Sequence, residues 1–362
     1  MKRLYLIDAF AIIYRSYFAF SKNHVVNSKG VNLSAEYGFT NFLFDILSKE
    51  SLTHIAVVFD SVSPTFREES YSDYKANREK MPEDIEKSIS TIQEIIRGFN
   101  IPCISSEGYE ADDVIGTLAK RAEERGFVVF IVSMDKDFGQ LVSDNIYIYK
   151  PSRPNESVQI LGVKEVCEKF GVNSPEEVVD FLGLTGDSSD NIPGIPGIGP
   201  VAATKLIKQF GKIENIIKSA PLLSESIREK IVKYSEQALY SKQLATIITD
   251  VPIEFNEDEL LLKEPNIDFL KSKFELLEFK KTSKRILDFY IKKGQELHSD
   301  SVNIVETEIE KLTIDFISKD DIEIHIDEIK KYNEVGIYLF LTGNDPNISE
   351  LKGILLWTNN KC

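Results

Sequence analysis

The sequence predicts an α/β fold: a parallel sheet core joined to a helical subdomain. Three observations point to it. Short apolar runs rich in β-branched and aromatic residues recur, helical patterns separate them, and the runs end at or near aspartates. Leu4–Ile7 ends at Asp8, Ile55–Phe59 ends at Asp60, and Val128–Ser133 is followed by Asp135 and Asp137. Runs this apolar read as strands buried on both faces. Helices are expected over Ala35–Leu47, Pro82–Phe99 and Ala111–Arg125. Pro82 suits the start of a helix, and Gly126 suits the position just past an end. Parallel sheets gather functional side chains at the carboxyl ends of their strands. Asp8, Asp60, Asp135 and Asp137, distant in sequence, are therefore expected in one place.

From about Leu161 to Lys293 the pattern changes to short helices with Gly/Pro turns. Residues 1–160 are thus expected to form the sheet core and 161–293 the helical subdomain. The stretch 294–302 has linker character. Residues 303–362 resume with strand-like runs, Val335–Leu341 and Gly353–Trp357, and are expected to be the incomplete start of a further α/β domain.

Hydrophobic content of 42% with 10% aromatics supports a packed core. No apolar run is long enough for a transmembrane helix, and the charged start is too short on apolar residues for a signal peptide. Cys103, Cys167 and Cys362 form no CxxC pair, which fits a reducing, cytoplasmic setting. Four scattered histidines, His24, His54, His298 and His325, argue against a zinc site. The net charge of −15 is unevenly spread: residues 295–362 carry −8 and the rest −7. Setting aside nine clustered carboxylates leaves that larger part slightly basic, so a nucleic-acid partner is not excluded.

Those nine acids are Asp8, Asp60, Glu110, Asp112, Asp113, Asp135, Asp137, Asp187 and Asp190. Carboxylates packed closely raise one another's pKa unless a cation neutralises them. Hard oxygen donors suit Mg2+ or Mn2+, and acid-rich sites holding two such ions commonly hydrolyse phosphodiesters by in-line displacement. On a regular helix Glu110 and Asp113 share a face at i,i+3, while Asp112 points elsewhere unless the first turn is irregular. The plain alternative is a set of helix N-terminal acids complementing the helix dipole, with Asp187 and Asp190 in a capping turn.

Two further segments carry chemistry. In Asn191-Ile-Pro-Gly194-Ile-Pro-Gly197-Ile-Gly199-Pro, the glycines allow close backbone approach and aim N–H groups from a tight turn into a helix start. This helix–hairpin–helix pattern grips a phosphate backbone without reading sequence, and Lys205 and Lys208 add charge. A plain inter-helix turn is the alternative. The basic and aromatic segment Phe66–Lys80 follows the Asp60 strand and is expected to overhang the site. Arg67, Lys75 and Arg78 are suited to phosphates, and Tyr71 and Tyr74 to stacking on a base. Tyr14 and Arg15, just after Asp8, are similar candidates. A solvated charged face is the bland reading of both.

Taken together, these motifs resemble the 5′-nuclease superfamily over about residues 1–290. The matching pieces are Leu6-Ile-Asp8, Tyr14-Arg15, Val57-Val-Phe-Asp60, Thr65-Phe-Arg67, Tyr74-Lys75, Gly108-Tyr-Glu110-Ala-Asp112-Asp113, Asp135-Lys-Asp137 and Gly186-Asp187-Ser-Ser-Asp190-Asn-Ile-Pro-Gly194. The likeness is strongest to the 5′→3′ exonuclease domain of bacterial DNA polymerases of the polymerase I type. It implies a PIN-like core with a helix–three-turn–helix region, two or more Mg2+ or Mn2+ ions, and K+ held by hairpin carbonyls. It also implies cleavage of DNA at 5′ flaps, nicks and 5′ ends by an enzyme of replication and repair; a nucleoid-associated setting is expected, and nothing in the sequence demands more than a monomer.

By that resemblance, Asp8, Asp60, Glu110 and Asp112 bind the first ion. Asp113, Asp135, Asp137, Asp187 and Asp190 hold the second or its water shell. Lys75 and Arg78 contact the scissile phosphate. Arg15 and Arg67, with Tyr14 and Tyr74, place the 5′ strand, and Gly194, Gly197, Gly199, Lys205 and Lys208 hold the duplex. The stretch Gly336–Gly343 sits where a proofreading 3′→5′ exonuclease domain would open with two acids, and has leucines instead. A PIN-type ribonuclease and a non-catalytic flap-binding module are the alternatives. The hairpin counts against the first and the full acid set against the second.

Overall fold

The computed structural model describes residues 1–151, 158–300, 336–341 and 351–357. Six strands form one sheet: β1 (Arg3–Asp8), β2 (His54–Val58), β3 (Cys103–Ile104), β4 (Val128–Val132), β5 (Ile146–Lys150) and β6 (Gln159–Leu161). Their order is β3-β2-β1-β4-β5-β6, and every pair is parallel except β5–β6. The chain winds from β1 outward to β2 and β3, then returns to the far side of β1 for β4. This reversal opens a crevice between the carboxyl ends of β1 and β4, where Ile7 lies opposite Val132.

Side-chain alternation along the strands builds two cores. Leu4 and Leu6 join Val129 and Ile131 on one face, while Tyr5 and Ile7 join Ile55 and Val57 on the other. Five helices are interleaved with the strands: α1 (Ala9–Ala19), α2 (Ser34–Lys49), α3 (Phe66–Ser70), α4 (Glu83–Gly98) and α5 (Ala111–Glu124). Helices α1, α2 and α4 cover the Tyr5 face, and α5 covers the Leu4 face. Their ends follow the local chemistry. Asp8 caps α1 by accepting from Ala11 N at 3.1 Å, and Gly126 turns the chain after α5 at φ +78°.

Among the described residues nine more helices follow: α6 (Val163–Phe170), α7 (Val178–Thr185), α8 (Pro200–Phe210), α9 (Ile213–Lys218), α10 (Glu225–Lys233), α11 (Ser235–Ala245), α12 (Glu257–Leu260), α13 (Ile267–Leu276) and α14 (Lys280–Asp300). Val166, Leu182, Ile207 and Leu244 extend the Leu4-face core without a break. Sheet and helices therefore form one compact unit, Met1–Tyr290, and β6 straddles the boundary expected at residue 160. The linker expected at 294–302 is helical through Asp300, with 301–302 outside the described residues. A lone Gly294 among good helix formers costs only about 1 kcal/mol and does not end a helix. The second unit, Ile291–Cys362, includes an antiparallel pair, β7 (Gly336–Leu341) and β8 (Leu351–Trp357). Among the described residues no helix is long and apolar enough to cross a membrane.

One backbone contact ties the acid loop to the hairpin. Gly186 (φ +72°) and Gly194 (φ +58°) pack against each other, and a Cβ on Gly194 would stand 2.2 Å from Gly186 N. Gly194→Ala is therefore expected to destabilise the protein by about 1–3 kcal/mol. Gly199→Ala, with nothing within 4 Å of the added Cβ, should stay within about 1 kcal/mol. Urea-denaturation midpoints of the two variants would check this, and equal midpoints would refute it.

Candidate metal centre

The crevice between β1 and β4 assembles the acids. Asp8, at the end of β1, accepts from Ser133 Oγ at 2.8 Å, and Ser133, just past β4, accepts from Asp135 N at 3.0 Å. Asp135 in turn accepts from Asp137 N at 2.8 Å. Asp60, beyond β2, accepts from Ala111 N at 2.7 Å and so satisfies the first N–H of α5. Pairing of parallel strands, followed by short hydrogen-bonded turns, thus draws three distant segments to one place. Ser133 was not anticipated from the sequence. Its position at a strand's carboxyl end, two residues before Asp135, was the available signal.

Glu110 is the N-cap residue of α5, with extended backbone. Its Oε1 accepts from Lys75 Nζ at 2.5 Å, and its Oε2 accepts from Tyr74 OH and Arg67 Nη1, each at 3.1 Å. Asp190 accepts from Arg78 Nη2 at 2.5 Å and from Tyr74 OH at 3.3 Å. The loop carrying these cations is clamped to the second acid loop. Lys75 N donates to Asp190 O at 3.0 Å, Asn77 to Ser188 O at 2.6 Å, and Asn191 to Asp73 O at 2.7 Å. Asp187 accepts from Ser189 N and Oγ at 2.8 and 2.6 Å, and it pairs with Lys136.

Electrostatics link the acids into one cluster. Burial pushes the Asp8 carboxyl up to about 6, with Asp60 and Asp135 adding to the rise. Burial, then Asp135, Asp8 and Glu110, hold Asp112 well above the usual carboxylate range. Asp137 is pushed up to about 8 by burial and Asp135, with Asp187 and Asp190 contributing. Burial also acts to raise Asp187, but Lys136 and Ser189 outweigh it and hold that carboxyl low. Lys75 and Arg78 stay charged because Glu110 and Asp190 outweigh their burial.

Three expectations change. Asp113, expected at the second ion, is fully buried and faces the core, and both its oxygens are taken. It accepts from Arg67 Nη1 and Nη2 at 2.7 and 2.8 Å and from Ile248 N at 2.8 Å. Arg67, expected on the 5′ strand, is 2% exposed and also donates to Leu244 O at 2.9 Å and Thr246 O at 2.6 Å. Tyr74, expected to stack on a base, is buried with its hydroxyl engaged by Glu110 and Asp190. Burying so many polar groups is tolerable only because each is paired.

Of the other expected contacts, Gly194 is buried with its N–H donating to Ser241 Oγ at 3.1 Å, and the rest are exposed or half-buried. Tyr14 and Arg15 are half-buried on α1, the guanidinium lying 6.0 Å from the Phe42 ring centroid. Lys205 and Lys208 are exposed on α8, whose N-cap is Gly199. Gly194 O accepts from Gln237 at 2.6 Å, and Gly197 O accepts from Lys230 Nζ at 3.1 Å.

Among the described residues no three His, Cys, Asp or Glu side chains already stand as a ready ligand set. Lys75, Arg78 and Lys136 engage the outer acids instead. The donor chemistry nevertheless fits divalent cations. All donors are hard oxygens, three of the carboxyls are raised by burial and by neighbouring acids, and Asp137 Oδ1 is buried without a hydrogen bond.

Residues 3–171 match the family model described as the N-terminal resolvase-like domain of 5′-3′ exonuclease, and residues 173–268 match its C-terminal SAM fold. The 5′-3′ exonuclease of Aquifex aeolicus (strain VF5) is 38% identical over 287 residues, covering 79% of this chain and 96% of its own. DNA polymerase I of Bacillus caldotenax is 39% identical over 279 residues, 77% of this chain and 32% of its own length. The chain thus spans about a third of the polymerase relative. In fold it is similar to T5 5′-exonuclease, solved with divalent zinc bound (TM-score 0.58, 19% identity, 79% of this chain and 99% of that one). The catalytic core of Rad2 in complex with DNA substrate is also similar in fold (TM-score 0.56, 19% identity, 79% and 90%).

Proposed function

Because this chain belongs to the 5′-3′ exonuclease family, we propose that its acid cluster holds two Mg2+ or Mn2+ ions and cuts DNA at 5′ ends and 5′ flaps. The observation that carries this reading is the convergence of Asp8, Asp112, Asp135 and Asp137 at the β1/β4 crevice, with three of those carboxyls raised. Asp8, Asp60, Glu110 and Asp112 are the donors for one ion, and Asp135, Asp137, Asp187 and Asp190 for the other. When bound, such a pair lowers the pKa of water and neutralises charge developing on the phosphate.

The chain's own residues do the rest. Lys75 and Arg78 stand at the rim as permanent cations, placed to exchange their carboxylate partners for the substrate phosphate. Gly197 and Gly199 expose backbone to the duplex, buried Gly194 shapes the turn from within, and Lys205 and Lys208 add sequence-independent attraction. Tyr14 and Arg15 are the contacts for the 5′ strand. For K+, the donors are hairpin carbonyls, of which those of Gly194 and Gly197 already accept from Gln237 and Lys230. The enzyme acts as a monomer beside chromosomal DNA, as part of a polymerase I-like protein. There β7 begins a proofreading-type fold with leucines in place of the acids.

A 5′-labelled flap duplex incubated with Mg2+ should be cut near its junction. EDTA should remove at least about 10³-fold of the rate, and an RNA flap of the same sequence should be cut far more slowly. Tight flap binding without cutting under any divalent ion would leave a structural module. Preference for RNA would leave a ribonuclease.

A further inference from the structure

Lys136 lies inside the acid cluster, between Asp135 and Asp137 in sequence. It is the N-cap residue of a 3-10 turn, Asp137–Leu141, that turns back from β4. Its side chain, 39% exposed, reaches across to the acid loop after α7. There its ammonium pairs with Asp187 Oδ2 and lies 3.6 Å from Asp137 Oδ1. The rim cations Lys75 and Arg78 each form an ion pair with one carboxylate, whereas Lys136 bridges two that come from different segments. Both are acids assigned above to the second ion.

We propose that Lys136 is a stand-in cation for that second ion, competing with it for Asp137 and Asp187 and so setting the metal concentration at which the site fills. The proposal rests on the two-ion reading. Lys136 stands at Asp187 Oδ2 and Asp137 Oδ1, and Ser189 holds the other oxygen of Asp187, so an ion ligated by these two oxygens must displace the ammonium. An ammonium on a flexible four-carbon stem, with no acceptor of its own, can withdraw to solvent and cannot itself ligate metal. Ser189 N and Oγ hold the other oxygen of Asp187, so that carboxylate stays in place whichever cation is present. Asp135 adds negative charge beside Lys136, Asp190 acts on Asp137, and Lys169, which feels the charges of Lys136, Asp135 and Asp137, is a further cation near the pair.

The test is Mn2+ titration of the whole chain without DNA, followed by calorimetry and by the electron spin resonance of free Mn2+. Wild type, Lys136→Met, Lys136→Gln and Lys136→Arg are compared. The weaker of two Mn2+ events should tighten about tenfold or more in the Met and Gln variants. In Arg it should stay within about threefold of wild type. In EDTA the Met and Gln variants should melt several degrees lower, because the acids lose their counter-charge. Unchanged or weakened Mn2+ binding in a folded Met or Gln variant would overturn the proposal while leaving the two-ion reading intact. Absence of Mn2+ uptake by the wild type would overturn both.

Discussion

Asp112→Asn is expected to lower flap cleavage about 10³-fold and, in EDTA at pH 8, to raise the melting temperature. The loss of rate follows from removing a charged oxygen donor, worth about 4 kcal/mol of transition-state stabilisation. The gain in stability follows from the same charge. Burial, Asp135, Asp8 and Glu110 hold this carboxyl well above its ordinary range, so ionising it opposes folding. A carboxyl whose pKa is higher folded than unfolded binds more protons in the folded state. Its stabilising contribution is complete below about pH 4 and is lost as pH rises through the folded value.

For Asp8 that value is about 6 and for Asp137 about 8. Glu36, raised to about 7 by burial, acts in the same direction. His54, lowered by burial, opposes them as pH falls. In EDTA the wild type should therefore melt at higher temperature at pH 6 than at pH 8.5, and Asp112→Asn should flatten that slope. Thermal melts across this range, with and without Mg2+, check the prediction together with cleavage rates. A variant that cuts normally, or melts lower in EDTA at pH 8, would remove Asp112 from the repelling cluster.

Arg67→Leu is expected to destabilise the protein by about 3–5 kcal/mol, the penalty for stranding buried charge. Asp113 would lose two charge-assisted bonds, Glu110 one, and the carbonyls of Leu244 and Thr246 their donor. The double variant Arg67→Leu/Asp113→Leu should be less damaging than the sum of the single ones, with a coupling of about 1–3 kcal/mol. Urea denaturation of the four proteins gives the cycle. Additive effects would show that the two charges do not depend on each other. A DNA-contact role for Arg67 would instead leave stability unchanged and weaken flap binding.

Most of the fold was legible because its long elements carry period. β1, β2 and β4 read as buried runs, and α2, α4 and α5 fall within two residues of their expected ends. β3, at two residues, has too little length to show a pattern. The cluster was legible as a set of acids but not in its orientation. Helical spacing put Glu110 and Asp113 together, yet Glu110 is the extended N-cap residue, so that spacing does not apply to it. The charges of Asp8 and Asp135 act on Asp112, while Asp113 turns to the core. The partner that decides this, Arg67, lies 46 residues away in sequence, a pairing no local pattern reveals.

The Gly186–Gly194 contact gives the enzyme a caliper. Asp190 and Gly199 belong to one continuous segment, braced at its root by that contact, and nine residues of chain extend at most about 31 Å. If the hairpin and the acids hold DNA as proposed above, the phosphates seated at the two differ by no more than about one turn of duplex. The strand would then be severed at a distance measured from where the helix is held, and the spacing of the cut would be a dimension of the protein rather than a reading of the bases.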